Sequence, residues 1–193
     1  MGRSRTFVED DAAHAALGAF WSLGYEAAAV PDLERATGLS RSSIYHSFGS
    51  KRGLFDAVVN AYLDVIVRPR LAPLRDQTVS PHALEDYLAG LRAAMATPTT
   101  PLAAHGCLLL NTATSTSGDD AALVDVVRAY REELSSAIAR GVGAARPELS
   151  PAAAGRLATA CTAHVVAAMT LVRADSDGAV AFLDNALELL HES

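Results

Sequence analysis

The chain is poor in lysine. Lys51 stands alone among 16 cations, and the other fifteen are arginines. There are two cysteines, Cys107 and Cys161, at no paired spacing. That leaves no disulfide framework and no CxxC metal or redox motif. Aromatics make up 6% of the residues and alternating Val/Ile/Thr runs are missing, which excludes a β-rich fold. The six histidines, His14, His46, His82, His105, His164 and His191, are dispersed. With no HxxxH, GxSxG or phosphate loop, the chain is expected to be no enzyme and to carry neither metal nor cofactor. The apolar charge-free stretch 157–172 has 16 residues and contains His164. A bilayer span needs about 20, so the stretch reads as a buried helix. The N-terminus reaches acidic residues at once, unlike a signal peptide. A cytoplasmic protein is expected.

What the chain has is alanine, leucine and helix punctuation. Half of it is apolar, ample for a core in one large or two small domains of a 193-residue chain. The fold class is all-α, with about nine helices. The net charge of −6 divides unevenly. Residues 1–55 carry six cations against six anions, and 56–193 carry ten against sixteen. The acidity belongs to the C-terminal part, which argues against broad coating of nucleic acid and for a local, oriented contact.

Caps and breakers place the helices. The first runs over 7–23 with a stripe of Phe7, Ala12, Ala13, Ala16, Leu17, Phe20 and Leu23, has Glu9, Asp10 and Asp11 in its first turn, and stops at Gly24. A fourth starts at Ser50 and passes Ala61, Tyr62, Val65 and Ile66 before Pro69 bends or breaks it. Ser80-Pro81 opens a fifth to about Ala96. The sixth spans about 102–114 and ends near Ser117-Gly118, and the seventh runs from Asp119 to 141–143. The eighth runs from Ser150-Pro151 to about Arg173, and the ninth follows Asp175-Ser176-Asp177 nearly to the end.

The second and third helices carry the sharpest signal. Leu33, Ala36 and Thr37 give the second an apolar face, and Gly38 ends it in a left-handed turn. Leu39 plugs the turn, and Ser40 caps the third helix through a backbone N–H near Ser43. Ile44 and Phe48 face inward, leaving Arg41, Ser42, Ser43, Tyr45 and His46 outward. A short, donor-rich outward face after a tight turn is how a helix-turn-helix presents a recognition helix to the major groove. Ser50 then caps a helix whose first turn holds Lys51 and Arg52. Two cations there oppose the macrodipole by roughly 0.3–1 kcal/mol each, a penalty that a docked phosphate reverses.

These residues closely resemble the TetR family of transcriptional regulators. The likeness covers roughly residues 7–58 and rests on Gly24-Tyr25, Gly38-Leu39-Ser40, Tyr45-His46-Ser47-Phe48 and Lys51 at the family's spacing. It implies a homodimeric, all-helical repressor or activator that releases DNA when a small ligand binds the C-terminal domain. It implies phosphate contacts from Tyr45 and Lys51, and base contacts from Arg41, Ser42, Ser43 and His46. One position departs from the pattern. Where the family usually has Thr or Ser ahead of the second helix, this chain reads Ala27-Ala28-Ala29. A lost hydroxyl cap costs about 0.5–2 kcal/mol, offset by Pro31 and Asp32. Arg3 and Arg5 offer a replacement contact to the backbone or an adjacent minor groove.

The domains are therefore expected at 1–55 (DNA-binding) and 56–193 (ligand-binding and dimerisation). The last two helices, about 151–173 and 176–191, are too apolar for single-sided burial and are expected to pair with the same helices of a second copy. Candidate ligand walls are Tyr87, Leu91, Met95, Leu109, Tyr130 and Met169, with Asn111, Thr112 and His164 as polar points, suiting a mostly apolar effector. The segment from His105-Gly106-Cys107-Leu108 to Thr112 resembles a Gly-Cys-Leu segment in one branch of the family, where such a cysteine can act as a reactive sensor; Cys161 is expected to pack. The expected function is a ligand-responsive regulator, a repressor, acting on a double-stranded operator and independent of membranes. The alternatives are thiol or electrophile sensing through Cys107, or a helical binding module whose DNA reader has degenerated.

Overall fold

The computed structural model describes residues 5–115 and 121–192. Arg3, Ser117, Gly118 and Asp119 lie outside the described residues, as do the side chains of Arg5, Phe7 and Thr114. The described residues are helical, with no strand among them, and the nine expected helices are all present. They form two compact units that divide between Pro69 and Arg70.

The first unit holds α1 (Arg5–Leu23), α2 (Val30–Thr37), α3 (Arg41–Phe48), α4 (Lys51–Tyr62) and a π-helical segment (Leu63–Val67). Helix α1 packs on α2 and α4, and α3 packs on α4. The core is Ala12, Ala13, Ala16, Phe20 and Trp21 of α1 against Leu33, Ile44, Leu54, Phe55 and Val58. Phe20 meets Phe55 edge-on at 5.1 Å, and Trp21 meets Tyr62 likewise at 5.2 Å. Three expectations change here. Leu23 is 47% exposed, and Trp21 takes the buried place, because the helix ends and the chain turns away at Gly24. Glu9, Asp10 and Asp11 lie beyond the first turn, since α1 already begins at Arg5. Ala36 is exposed, so the apolar face of α2 rests on Leu33.

The π segment is closed by an Arg68 N–H to Leu63 C=O bond, one residue wider than an α turn, directly ahead of Pro69, which has no N–H to donate. Helix α5 (Arg68–Arg75) follows, with Pro73 inside it.

The second unit contains α6 (Ala83–Ala96), α7 (Pro101–His105), α8 (Leu108–Ser115), α9 (Ala121–Ala145), α10 (Pro151–Leu171) and α11 (Ser176–His191). Helix α10 packs on α11 and α9, and α6 packs on α11 and α9. Leu84, Leu88, Leu91, Met95, Leu134, Ile138, Val165 and Leu183 are buried between them. Ser150 and Asp175 cap α10 and α11 through the N–H groups of Ala153 and Gly178. Ser80 acts differently from expected. Its hydroxyl accepts the His82 N–H in a turn, and α6 starts later, at Ala83. The expected sixth helix is in two pieces, α7 and α8, because Gly106 adopts φ 65°, ψ −147° between them. A Cβ there would lie 2.6 Å from the Met169 carbonyl oxygen. Arg146 donates to the Leu190 and Glu192 carbonyls, closing the free end of α11 with a cation that complements its macrodipole.

Two outcomes follow from this packing. A Cβ on Gly53 would fall 1.9 Å from the Phe48 carbonyl oxygen, where α4 runs tight against the end of α3. Gly53→Ala is expected to cost about 1–3 kcal/mol, read as a lower denaturation midpoint. Cys161, fully buried and donating to the Ala186 carbonyl, has its thiol pushed up to about 11 by burial. Its contribution to stability is therefore intact below about pH 9 and is lost as pH rises towards 11. Replacing it with alanine should make the alkaline fall in stability shallower across that interval, measured by urea melts from pH 8 to 11.

Candidate nucleic-acid interface

The reading face starts with two helix caps. Ser40 accepts the Ser43 N–H at 3.2 Å and Ser50 accepts the Gly53 N–H at 3.0 Å, as the sequence leads one to expect. Gly38 closes α2 in the left-handed region at φ 68°. Between these points α3 turns Ile44 into the core and leaves Phe48 half-buried.

Arg41, Ser42, Ser43, Tyr45 and His46 are all exposed on α3. The Arg41 guanidinium lies 5.4 Å from the Tyr45 ring centroid, and the Ser40 hydroxyl is 2.9 Å from those of both Ser42 and Ser43. The face is thus a guanidinium on an aromatic plate beside three clustered hydroxyls. Its chemistry suits both base edges and phosphate oxygens. Lys51 and Arg52 occupy the first turn of α4. Arg52 pairs with Asp56 at 2.6 Å. The Lys51 ammonium donates to the Glu26 carbonyl at 3.2 Å and sits 4.8 Å over the Tyr25 ring.

Several residues of this face escape a reading of the sequence alone. Glu34 accepts the Arg41 N–H at 2.6 Å, so a carboxylate of α2 satisfies the first amide of α3. The two residues are seven apart, outside any capping pattern. Asp32 accepts the Ala29 N–H at 3.0 Å and pairs with Arg35 at 3.0 Å. Ala29 supplies no side-chain cap, so only the Asp32 half of a capping box exists at the start of α2.

The second unit gathers some of the residues expected around a ligand. Cys107 is sealed from solvent, its thiol 3.9 Å from the Tyr130 hydroxyl, which in turn donates to the Met169 sulfur at 3.5 Å. Burial and the neighbouring Cys107 push the Tyr87 phenol well above its ordinary value, against the pull of Arg70. Asn111 donates to the His105 carbonyl at 2.6 Å and Thr112 to the Leu108 carbonyl at 2.8 Å. Met95 is buried in α6. His164 faces elsewhere, its ring tilted against Phe182 of α11 at 5.8 Å. Among the described residues no group of His, Cys, Asp and Glu is placed to hold a metal ion. None of the described helices is long and apolar enough to cross a membrane.

Residues 13–58 match the family model of bacterial regulatory proteins, tetR family. The HTH-type transcriptional repressor ComR of Escherichia coli (strain K12) is 34% identical over 128 residues, covering 66% of this chain and 60% of ComR. The HTH-type transcriptional repressor BdcR of the same organism is 37% identical over 75 residues, 39% of this chain and 38% of BdcR. The chain thus spans less than two thirds of the length of these curated relatives. A TetR transcriptional regulator from Chloroflexus aurantiacus is 30% identical, with a TM-score of 0.73, covering 96% of this chain and 93% of that one. A cysteine mutant of the TetR family regulator CifR, complexed with 26-bp double-strand operator DNA, is 26% identical with a TM-score of 0.76. That alignment covers 97% of this chain and 98% of CifR.

Proposed function

The chain belongs to the TetR family of bacterial regulatory proteins, and on that premise we propose that it is a ligand-responsive transcriptional repressor. It binds a near-palindromic operator as a homodimer in the cytoplasm. The observation that carries this reading is the exposed face of α3, Arg41 to His46, followed directly by Lys51 at the start of α4. In this reading Arg41, Ser42, Ser43 and His46 meet base edges, and Tyr45 and Lys51 hold phosphates. Residues 1–55 form the reader, and 56–193 form the sensing and dimerising part.

Dimerisation proceeds through α10 and α11, where the half-buried Leu157, Val180 and Leu187 support a further apolar contact. Two recognition helices then address half-sites about 34 Å apart. The effector is small and mostly apolar, and binds near Tyr87, Met95, Cys107, Asn111, Thr112 and Met169. The buried thiol, phenol and thioether around Tyr130 support a site with few polar points. Effector binding favours the state that does not hold DNA, and so shifts the population away from the operator.

Selection of bound sites from a random duplex library, followed by a salt titration on the winner, tests the reading. A near-palindromic sequence and a steep salt slope are expected, and absence of enrichment at low salt overturns it. On the selected site, Lys51→Ala should weaken every duplex alike and reduce the salt slope by about 1. Arg41→Ala should cost about 1–3 kcal/mol and relax preference at one base position per half-site.

A further inference from the structure

We propose that Tyr25 is a positioning residue for Lys51, holding the chain's single ammonium side chain where it meets a DNA phosphate. The proposal rests on the phosphate role given to Lys51 above. Lys51 is the first residue of α4, and Arg52 follows it. Neither the helix macrodipole nor a neighbouring cation favours a positive charge there. Arg52 has its own counter-charge in Asp56. For Lys51 the structure provides uncharged partners instead: the Tyr25 ring face at 4.8 Å and the Glu26 carbonyl at 3.2 Å.

An ammonium has three N–H donors. One goes to the Glu26 carbonyl and one side faces the ring, which leaves a donor for a phosphate oxygen. A carboxylate in place of these partners would neutralise the charge and compete with DNA; a π face and a carbonyl hold the cation without cancelling it. The plate itself is anchored. Tyr25 lies 4.8 Å from Phe55 and 6.3 Å from Phe20, both sealed in the core. The flexible lysine stem is therefore ordered before DNA arrives, which lowers the entropic cost of the contact.

Because Lys51 is the only lysine, reductive methylation with ¹³C-formaldehyde gives one lysine signal beside that of the terminal amine. In the DNA-free protein this signal should lie upfield of a free dimethyl-lysine, through the ring current of Tyr25. It should stay there in Tyr25→Phe and return to the free position in Tyr25→Leu. A wild-type signal already at the free position overturns the proposal, whether or not the leucine variant folds. On the selected duplex, Tyr25→Phe should bind within about twofold of wild type, and Tyr25→Leu about three- to fivefold more weakly. In a Lys51→Ala background the leucine substitution should add nothing. An equal loss in that background means that Tyr25 acts through folding alone, and overturns the positioning role. Lys51→Ala with no effect on DNA overturns the phosphate assignment, and with it the proposal's DNA half.

Discussion

Helices of eight residues do not persist in water on their own, and both α2 and α3 have that length. Each is held by one wholly enclosed side chain, Leu33 in α2 and Ile44 in α3. The floor beneath them is rigid because Phe20 and Phe55 interlock edge to face, and Gly53 lets α4 run against the last carbonyl of α3. Every exposed group of the reading face takes its position from that seating. The caps at Ser40 and Ser50 then complete the helix ends without drawing on the outward side chains of Arg41, Tyr45 or His46.

The balance of charge in the first fifty-five residues conceals an arrangement. Of the six acids there, Asp32 is engaged by the Ala29 amide and Arg35, and Glu34 by the Arg41 amide; just beyond the segment, Asp56 is engaged by Arg52. These carboxylates serve local donors. Arg41 and Lys51, at the start of α3 and α4, thus lie in a unit where the carboxylates of Asp32, Glu34 and Asp56 are already occupied by backbone or guanidinium donors. A module with no net charge can in this way keep a directed positive edge, as an oriented contact needs.

Much of this was legible in the sequence, because caps and breakers act over three or four residues. Ser40, Ser50, Ser150 and Asp175 cap the helices that their spacing announces. The failures share a different cause. Ser80 forms a turn, and α6 waits until Ala83; a Ser-Pro pair suits either use. The break at Gly106 depends on the Met169 carbonyl, more than sixty residues away, which no local pattern registers. Trp21 displaces Leu23 from the core because Tyr62 offers it an aromatic partner. In the candidate site the exposed set on α3 follows from periodicity, whereas Glu34, Tyr25 and the Glu26 carbonyl enter only through tertiary contact. Polarity alone groups His164 with Cys107, whereas its place beside Phe182 comes from the packing of α10 on α11.

The π segment at Leu63–Val67 also bears on how such a chain changes over generations. An extra residue in an ordinary helix rotates everything beyond it by about 100°, and would carry buried side chains to the surface. A π turn takes up that residue in place. Here Tyr62 and Val67, five apart, are both buried, while Val65 between them is thrust outward. The wider turn thus holds one more residue than an α turn while keeping the buried side chains on either side of it on the core face. Length variation in a family member can thus be lodged inside a helix as well as in its loops.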